Sequence, residues 1–271
     1  MYYLSLVLLG FGVGAFGTLI GAGGGFILMP VLLLIYPRES PDVLTAFSLA
    51  VVFCNAGSGS YSYGRMRRID YKSGLLFLTV GIPGAVLGAY TVQYIPRATF
   101  NLIFSVLLMA ASVFIILRPA GARSQEARLA TRSRRLIIEA DGTRHEYAFN
   151  LPLGMAMSFL VGFASSLLGI GGGIIHVPAM VHLLDFPVHV ATATSHFILA
   201  AMALAGTIVH VASGTLAGHP YRLASLVIGV VLGAQVGAKL SSRIHGRWIM
   251  RSLAVALALV GVRILLQALW R

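Results

Sequence analysis

Four glycines in five positions, Gly21, Gly23, Gly24 and Gly25, break an otherwise apolar stretch, GAGGGFILMP (21–30). The pattern returns as GIGGGIIHVP (169–178), with Gly169, Gly171, Gly172 and Gly173. Inside a helix each glycine costs about 1 kcal/mol relative to alanine, so these runs serve something other than helix strength. Unwound glycine backbone presents N–H groups. A helix starting just beyond it, near Phe26 or Ile174, adds free N–H donors and the positive end of its dipole. The missing side chain lets a ligand approach that backbone closely. The chemistry this permits is the binding of an anion. Close helix packing is the other use of such glycines. It is the reading taken here for the isolated Gly10, Gly14, Gly81, Gly88, Gly229 and Gly237.

Polar side chains follow each run within apolar sequence: Ser48, Asn55 and Ser58 after the first, Ser195 and His196 after the second. Hydroxyl and amide donors suit a sulfur–oxygen or carboxylate anion without trapping it as a full charge would. They serve equally for helix–helix hydrogen bonds. His196 has three readings: donor to an anion, proton carrier or structural residue. Lys239 and Arg263 lie near helix ends and are expected to snorkel. All eight Asp and Glu residues fall in loops or near predicted helix ends. Cation transporters and proton pumps commonly hold a carboxylate in mid-span, so a cation site built on carboxylates is not expected. His182, His189 and His196 are spaced by seven, which resembles a metal stripe, but Pro187 interrupts the helical phase between the first two. A cation or metal permease using these histidines is the alternative function. Cys54, the single cysteine, excludes an internal disulfide and reads as a small apolar residue. No nucleophile stands beside a base and an orienting acid, so neither an enzyme nor a cofactor is expected.

The elements that hold these residues follow from composition. The chain is 58% hydrophobic and 10% charged, against about 25% charged for a soluble domain. Its apolar runs are continuous rather than alternating, the signature of membrane helices and not of a β-barrel. Net charge is +12, and the basic residues cluster between apolar runs. They speak for orientation in a membrane, not for nucleic acid. A scaffold resting its basic linker on anionic lipid is a further rival. Helices are expected at 2–20, 26–36, 43–64, 73–94, 97–118, 151–168, 174–185, 189–213, 222–243 and 246–270. The start lacks the basic residues of a cleavable signal peptide. A polar linker, 119–150, carries β-prone runs around Asp141-Gly142, an Asp-Gly hairpin signal.

The halves repeat. Gly21 matches Gly169 and Pro30 matches Pro178; TAFS (45–48) matches TATS (192–195), pairing Ser48 with Ser195; GAVLGAY (84–90) matches GAQVGAK (233–239). Three matches in one order indicate an internal duplication, as in many transporters. The expected organisation is a first membrane repeat (1–118), the linker (119–150) and a second repeat (151–271). Residues 2–36 as one helix would span about 52 Å, against a hydrocarbon core of about 30 Å. The positive-inside rule favours a segment that turns at the glycines and leaves on the side it entered. It puts the basic loops 63–72, 118–135 and 240–251 inside. Each half then has a glycine-broken helical hairpin plus three transmembrane helices. An odd number of spans makes the repeats inverted, with both termini outside. The fold class is therefore an all-α polytopic membrane protein of two inverted repeats.

The duplicated glycine loops ending in proline, TAFS with TATS, and GAVLGA with GAQVGA resemble the TauE/SafE sulfite exporter family of membrane permeases. The resemblance covers nearly the whole chain apart from the linker. It implies transport of sulfur-containing anions such as sulfite, sulfoacetate or thiosulfate across a bacterial inner membrane. It fixes neither the anion nor the direction of flux. Gly21, Gly23, Gly24, Gly25, Gly169, Gly171, Gly172 and Gly173 are expected to present N–H groups to the anion. Ser48, Asn55, Ser195 and His196 are expected to complete the site.

Overall fold

The computed structural model describes residues 2–117, 132–216 and 220–269. Most of the arginine-rich part of the linker, 118–131, lies outside them. Among the described residues are ten α-helices and one β-hairpin: α1 (Tyr2–Leu19), α2 (Gly25–Ile35), α3 (Pro41–Arg65), α4 (Tyr71–Thr91), α5 (Arg97–Leu117), β1 (Arg132–Ile138), β2 (Arg144–Asn150), α6 (Leu151–Leu168), α7 (Gly173–Leu183), α8 (Val188–Ala212), α9 (Pro220–Ser241) and α10 (Gly246–Leu269). Six of them, α3, α4, α5, α6, α8 and α9, are long and apolar enough to cross a membrane. The chain is an all-α polytopic membrane protein. Helix starts are marked chemically. Pro41 opens α3, where its missing N–H would be unpaired in any case. Asp70 and Asn150 cap α4 and α6 by accepting from the Ser73 and Leu153 N–H groups at 3.0 and 3.1 Å.

The first helix of each half packs along the fourth helix-forming segment of the other half: α1 on α9, and α6 on α4. Glycines let these pairs touch backbone to backbone. A Cβ on Gly229, Gly233 or Gly237 would strike the carbonyl of Val7, Phe11 or Ala15, and one on Gly84 or Gly88 that of Phe159 or Phe163. The rising order of partners makes both pairs parallel. In contrast α3 and α8 cross antiparallel at the centre, Gly59 meeting His196 and Gly206 meeting Leu49. Likewise Gly261 lies at Met109, and the Ser112 hydroxyl donates to the Ala254 carbonyl at 3.0 Å, so α5 and α10 are antiparallel.

These directions fix where the short segments begin and end. The near end of the bundle is where α3, α5 and α9 begin; α4, α6, α8 and α10 begin at the far end. Being parallel to α9, α1 also starts at the near end, and α2 leads straight into α3 there. Arg97 at the start of α5 ties this end together, donating to the carbonyls of Leu33, Tyr36 and Glu39. By the same steps α6 starts at the far end and α7 returns to it. Each glycine-broken pair enters and leaves its own end.

The hairpin sits on the far end. β1 and β2 are antiparallel, with Leu136 opposite Glu146. In the turn the Asp141 carboxylate accepts from the Thr143 N–H at 2.9 Å, and the hydrogen bonds from Thr143 hold its pKa below the usual carboxylate value. Glu139 pairs with Arg68 at 2.5 Å and His145 at 2.7 Å. The Ala140 N–H donates to the Met66 carbonyl at 3.0 Å. On β2 the Tyr147 hydroxyl donates to Asp70 at 2.7 Å; burial first, and the Asp70 charge second, push the phenol well above its ordinary pKa. Phe149 is buried against Phe77 and Phe186.

Candidate functional site

Both glycine runs form the same turn. Gly21, Gly23 and Gly24 have φ of 77°, 72° and 77°, and Gly169, Gly171 and Gly172 have 65°, 77° and 60°. The left-handed positions match one for one. L-residues with a Cβ pay roughly 1–2 kcal/mol in that region, which accounts for three of the four glycines in each run. The turn folds back on its own helix: Gly24 abuts Val13 and Gly172 abuts Ser165 and Val161. The fourth glycine has another reason. A Cβ on Gly25 would lie 2.6 Å from the Ile170 carbonyl oxygen, and one on Gly173 would overlap the Gly21 carbonyl. The two loops therefore touch each other crosswise at the centre of the molecule.

The N–H groups divide into two sets. Those of Gly21 and Gly23 donate to the carbonyls of Thr18 and Gly17 at 3.0 and 3.1 Å, that of Gly169 to Ser165, and that of Gly173 to Gly171 at 2.6 Å. These glycines close the turns rather than offer donors. The donors without an intrahelical acceptor by helix geometry are those opening α2 and α7, at Gly25, Phe26 and Ile174. Further along each helix, Pro30 and Pro178 occupy equivalent positions inside α2 and α7, each lacking the amide that would bond back one turn.

Helices α3 and α8 cover the loops. Gly169 lies against Thr45 and Ser48, and Gly21 against Thr192. The Ser48 hydroxyl donates to the Gly169 carbonyl at 2.5 Å. Its repeat mate Ser195 is fully buried and has no hydrogen-bond partner among the described residues; the same holds for the Thr45 and Thr192 hydroxyls. Val52 and Leu199 face Gly23 and Gly171 and make the middle of the loop pair apolar. Asn55 and His196 join through Thr18, whose hydroxyl donates to Asn55 Oδ1 at 3.1 Å and lies 3.2 Å from His196 Nε2. The His196 ring meets the Gly21 backbone and stands edge-on to Tyr63 at 5.7 Å. Asn55 Nδ2 is buried without a partner among the described residues. Ser58 is apart from the loops, bonded to the Val231 carbonyl and to Gln235 on α9.

A buried polar group left unpaired costs about 1–3 kcal/mol. Thr45, Asn55, Thr192 and Ser195 each leave one such atom on helices packed around the loops. All four can donate, so what would satisfy them is an acceptor-rich ligand. Cation chemistry has a different geometry to meet. Among the described residues no three His, Cys, Asp or Glu groups stand close enough to share a metal. His182 instead lies edge-on to Phe114.

Sequence reasoning missed Thr18, Thr45, Thr192 and Tyr63. Thr45 and Thr192 open the TAFS and TATS segments, so the repeat itself marks them. Thr18 carried no such signal, because a lone threonine before a glycine run is ordinary.

The family model for Sulfite exporter TauE/SafE matches residues 6–264. Among curated proteins the chain is 31% identical to "Probable membrane transporter protein YunE" of Bacillus subtilis (strain 168), covering 100% of both chains. It is 27% identical to a "Probable membrane transporter protein" of Methanocaldococcus jannaschii, over 84% of this chain and 79% of that one. It is 25% identical to "Probable membrane transporter protein MamO" of Paramagnetospirillum magneticum, over 84% of this chain and 38% of that one. No solved structure matches.

Proposed function

The chain belongs to the TauE/SafE sulfite exporter family of membrane transporters, and we propose that its cargo is a small sulfur-containing anion such as sulfite, thiosulfate or an organosulfonate. It is a multi-pass transporter, not an enzyme. The observation that carries the reading is the meeting of the two glycine turns, Gly25 on Ile170 and Gly173 on Gly21. This brings the starts of α2 and α7 together beside unpaired donors on α3 and α8. Helix starts favour negative charge, and hydroxyl and amide donors match sulfur-bound oxygens. Gly21, Gly23, Gly169 and Gly171 shape the turns, while Gly24, Gly25, Gly172 and Gly173 set the helix starts. Ser48, Asn55, Ser195 and His196 complete the site.

Each glycine-broken pair stays on one side of the membrane, and the halves are inverted repeats. The antiparallel courses of α3 and α8 support this. The far end, with Arg67, Arg68, Lys72 and the hairpin, faces the cytoplasm of a bacterial cell, and both termini face out. Transport proceeds by alternating access, one half rocking against the other, in the direction of export. The test is flux in proteoliposomes loaded with sulfite, thiosulfate, a short alkyl sulfonate, chloride or Zn²⁺. The reading predicts saturable flux of at least one sulfur anion, lost in Gly172→Val. Flux of Zn²⁺ alone would overturn it in favour of the histidine alternative.

A further inference from the structure

The near end holds a cavity of about 160 Å³, whose lining includes Leu32, Val43 and Leu226. These come from α2, α3 and α9. The internal repeat assigns each a counterpart at the far end. The loop offset (Gly21 to Gly169) takes Leu32 to Met180; the TAFS to TATS offset takes Val43 to Val190; the GAVLGA to GAQVGA offset takes Leu226 to Phe77. At the far end the hairpin packs on the counterpart positions. Met180, Val190 and Phe77 form one buried cluster with Tyr147 and Phe149 of β2. Tyr147 is 8% exposed and Phe149 1%. The hairpin thus puts two aromatic rings where the repeat places a cleft.

We propose that the hairpin is a gate: its aromatic pair plugs the far-end cleft, and that face opens only when β2 lifts away. The inference rests on the alternating-access reading, since it gives the two faces different gates. The near face opens by movement of the helices alone. The far face also requires the hairpin to undock. The anchors are polar and largely buried: Glu139 with Arg68 and His145, and Arg135 of β1, which donates to the Ser73 hydroxyl at 3.1 Å and lies 3.5 Å from the buried Asp70. Tyr147 on Asp70 aligns the plug. Undocking returns both partners of each pair to water, and the hydration they regain offsets much of the attraction they lose, so the buried rings carry most of the hold.

The experiment uses full-length Cys54→Ser protein in detergent, where a water-soluble maleimide reaches both faces and no cargo is needed. A reporter cysteine replaces Val190 at the far cleft or Val43 at the near one. With the hairpin intact, Val190→Cys labels slowly and Val43→Cys readily. Adding Tyr147→Ala and Phe149→Ala should raise labelling at 190 at least tenfold and leave 43 unchanged. Equal labelling at 190 with and without the rings overturns the gate. Should the double variant fail to accumulate, Phe149→Cys in an otherwise intact hairpin gives the same decision. Labelling within minutes means the hairpin leaves its seat. Complete protection, with Val43→Cys labelled in parallel, means it is a fixed part of the fold. Because labelling needs no substrate, failure of the sulfur-anion reading would show only in flux and leave this outcome intact.

Discussion

Replacing Gly24 and Gly172 by alanine separates backbone conformation from packing, because the two sites are repeat mates with different surroundings. Both have left-handed backbone, φ 77° and 60°, so both variants carry roughly 1–2 kcal/mol of conformational cost. A stiffer unfolded chain offsets about 0.4–1 kcal/mol of it. What differs is the space. At Gly24 the added Cβ would lie 2.6 Å from Val13 Cγ1 and 2.7 Å from the Val13 carbonyl oxygen. A helix backbone cannot yield at the second contact, and overpacking of this kind costs about 1–3 kcal/mol more. At Gly172 the nearest atoms are Ser165 Oγ at 3.0 Å and Cβ at 3.1 Å, and a serine side chain can rotate. The expected net losses are about 3 kcal/mol for Gly24→Ala and about 1 kcal/mol for Gly172→Ala. Thermal unfolding of the purified protein in one detergent, with both variants in parallel, reads the order directly. Equal losses, or a larger one at Gly172, would refute the packing argument.

Four further outcomes follow from the contacts. Gly88→Leu should push α4 off the Phe163 carbonyl on α6 and cost at least about 3 kcal/mol, seen as loss of folded protein by gel filtration; Gly12→Leu, where a Cβ meets no atom of the described residues within 4 Å, should be neutral. Arg97→Ala removes the guanidinium hydrogen bonds to three carbonyls and should cost about 2–4 kcal/mol by the same melt; Arg97→Lys should rescue little of it, since an ammonium cannot reproduce the guanidinium fork. Tyr147→Phe removes the hydrogen bond to buried Asp70 and should cost about 1–2 kcal/mol while leaving the rings in place. For Asp141, a carboxylate whose folded pKa is lowered supports the hairpin turn above its unfolded value of about 3.9, and that support is lost as pH falls through the folded value. Amide exchange at Gly142 and Thr143 should accelerate on acidification in the wild type relative to Asp141→Asn.

The helices were legible because continuous apolar runs leave little choice of element, and the glycine turns because the same residues recur at matching places. Gly24 needs a left-handed backbone and Gly25 needs closeness to another loop, yet both read as the same letter; only the fold separates conformation from contact. The division of N–H groups was not legible for the same reason. Nothing in the sequence says that Gly21 and Gly23 spend their amides on α1 while Phe26 does not. The Asp141-Gly142 pair sits in the turn of the hairpin, but its seat on Phe77 and Phe186 depends on aromatic residues far apart in the chain. Ser58 joined the candidate polar residues by position along α3, and helical phase turns it to α9 instead.

A sulfur–oxygen anion should bind where the two glycine turns meet. The most direct test is thermal stability of the purified protein against sulfite, thiosulfate, an alkyl sulfonate, chloride and divalent metals, in the wild type, Gly172→Ala and Ser195→Ala. A ligand bound only by the native state stabilises by mass action, about 2.7 kcal/mol at a hundredfold excess over Kd. Tm should rise with a sulfur anion in the wild type and rise less in both variants, which still fold. A rise with metals alone, or an anion response identical in all three proteins, would contradict it.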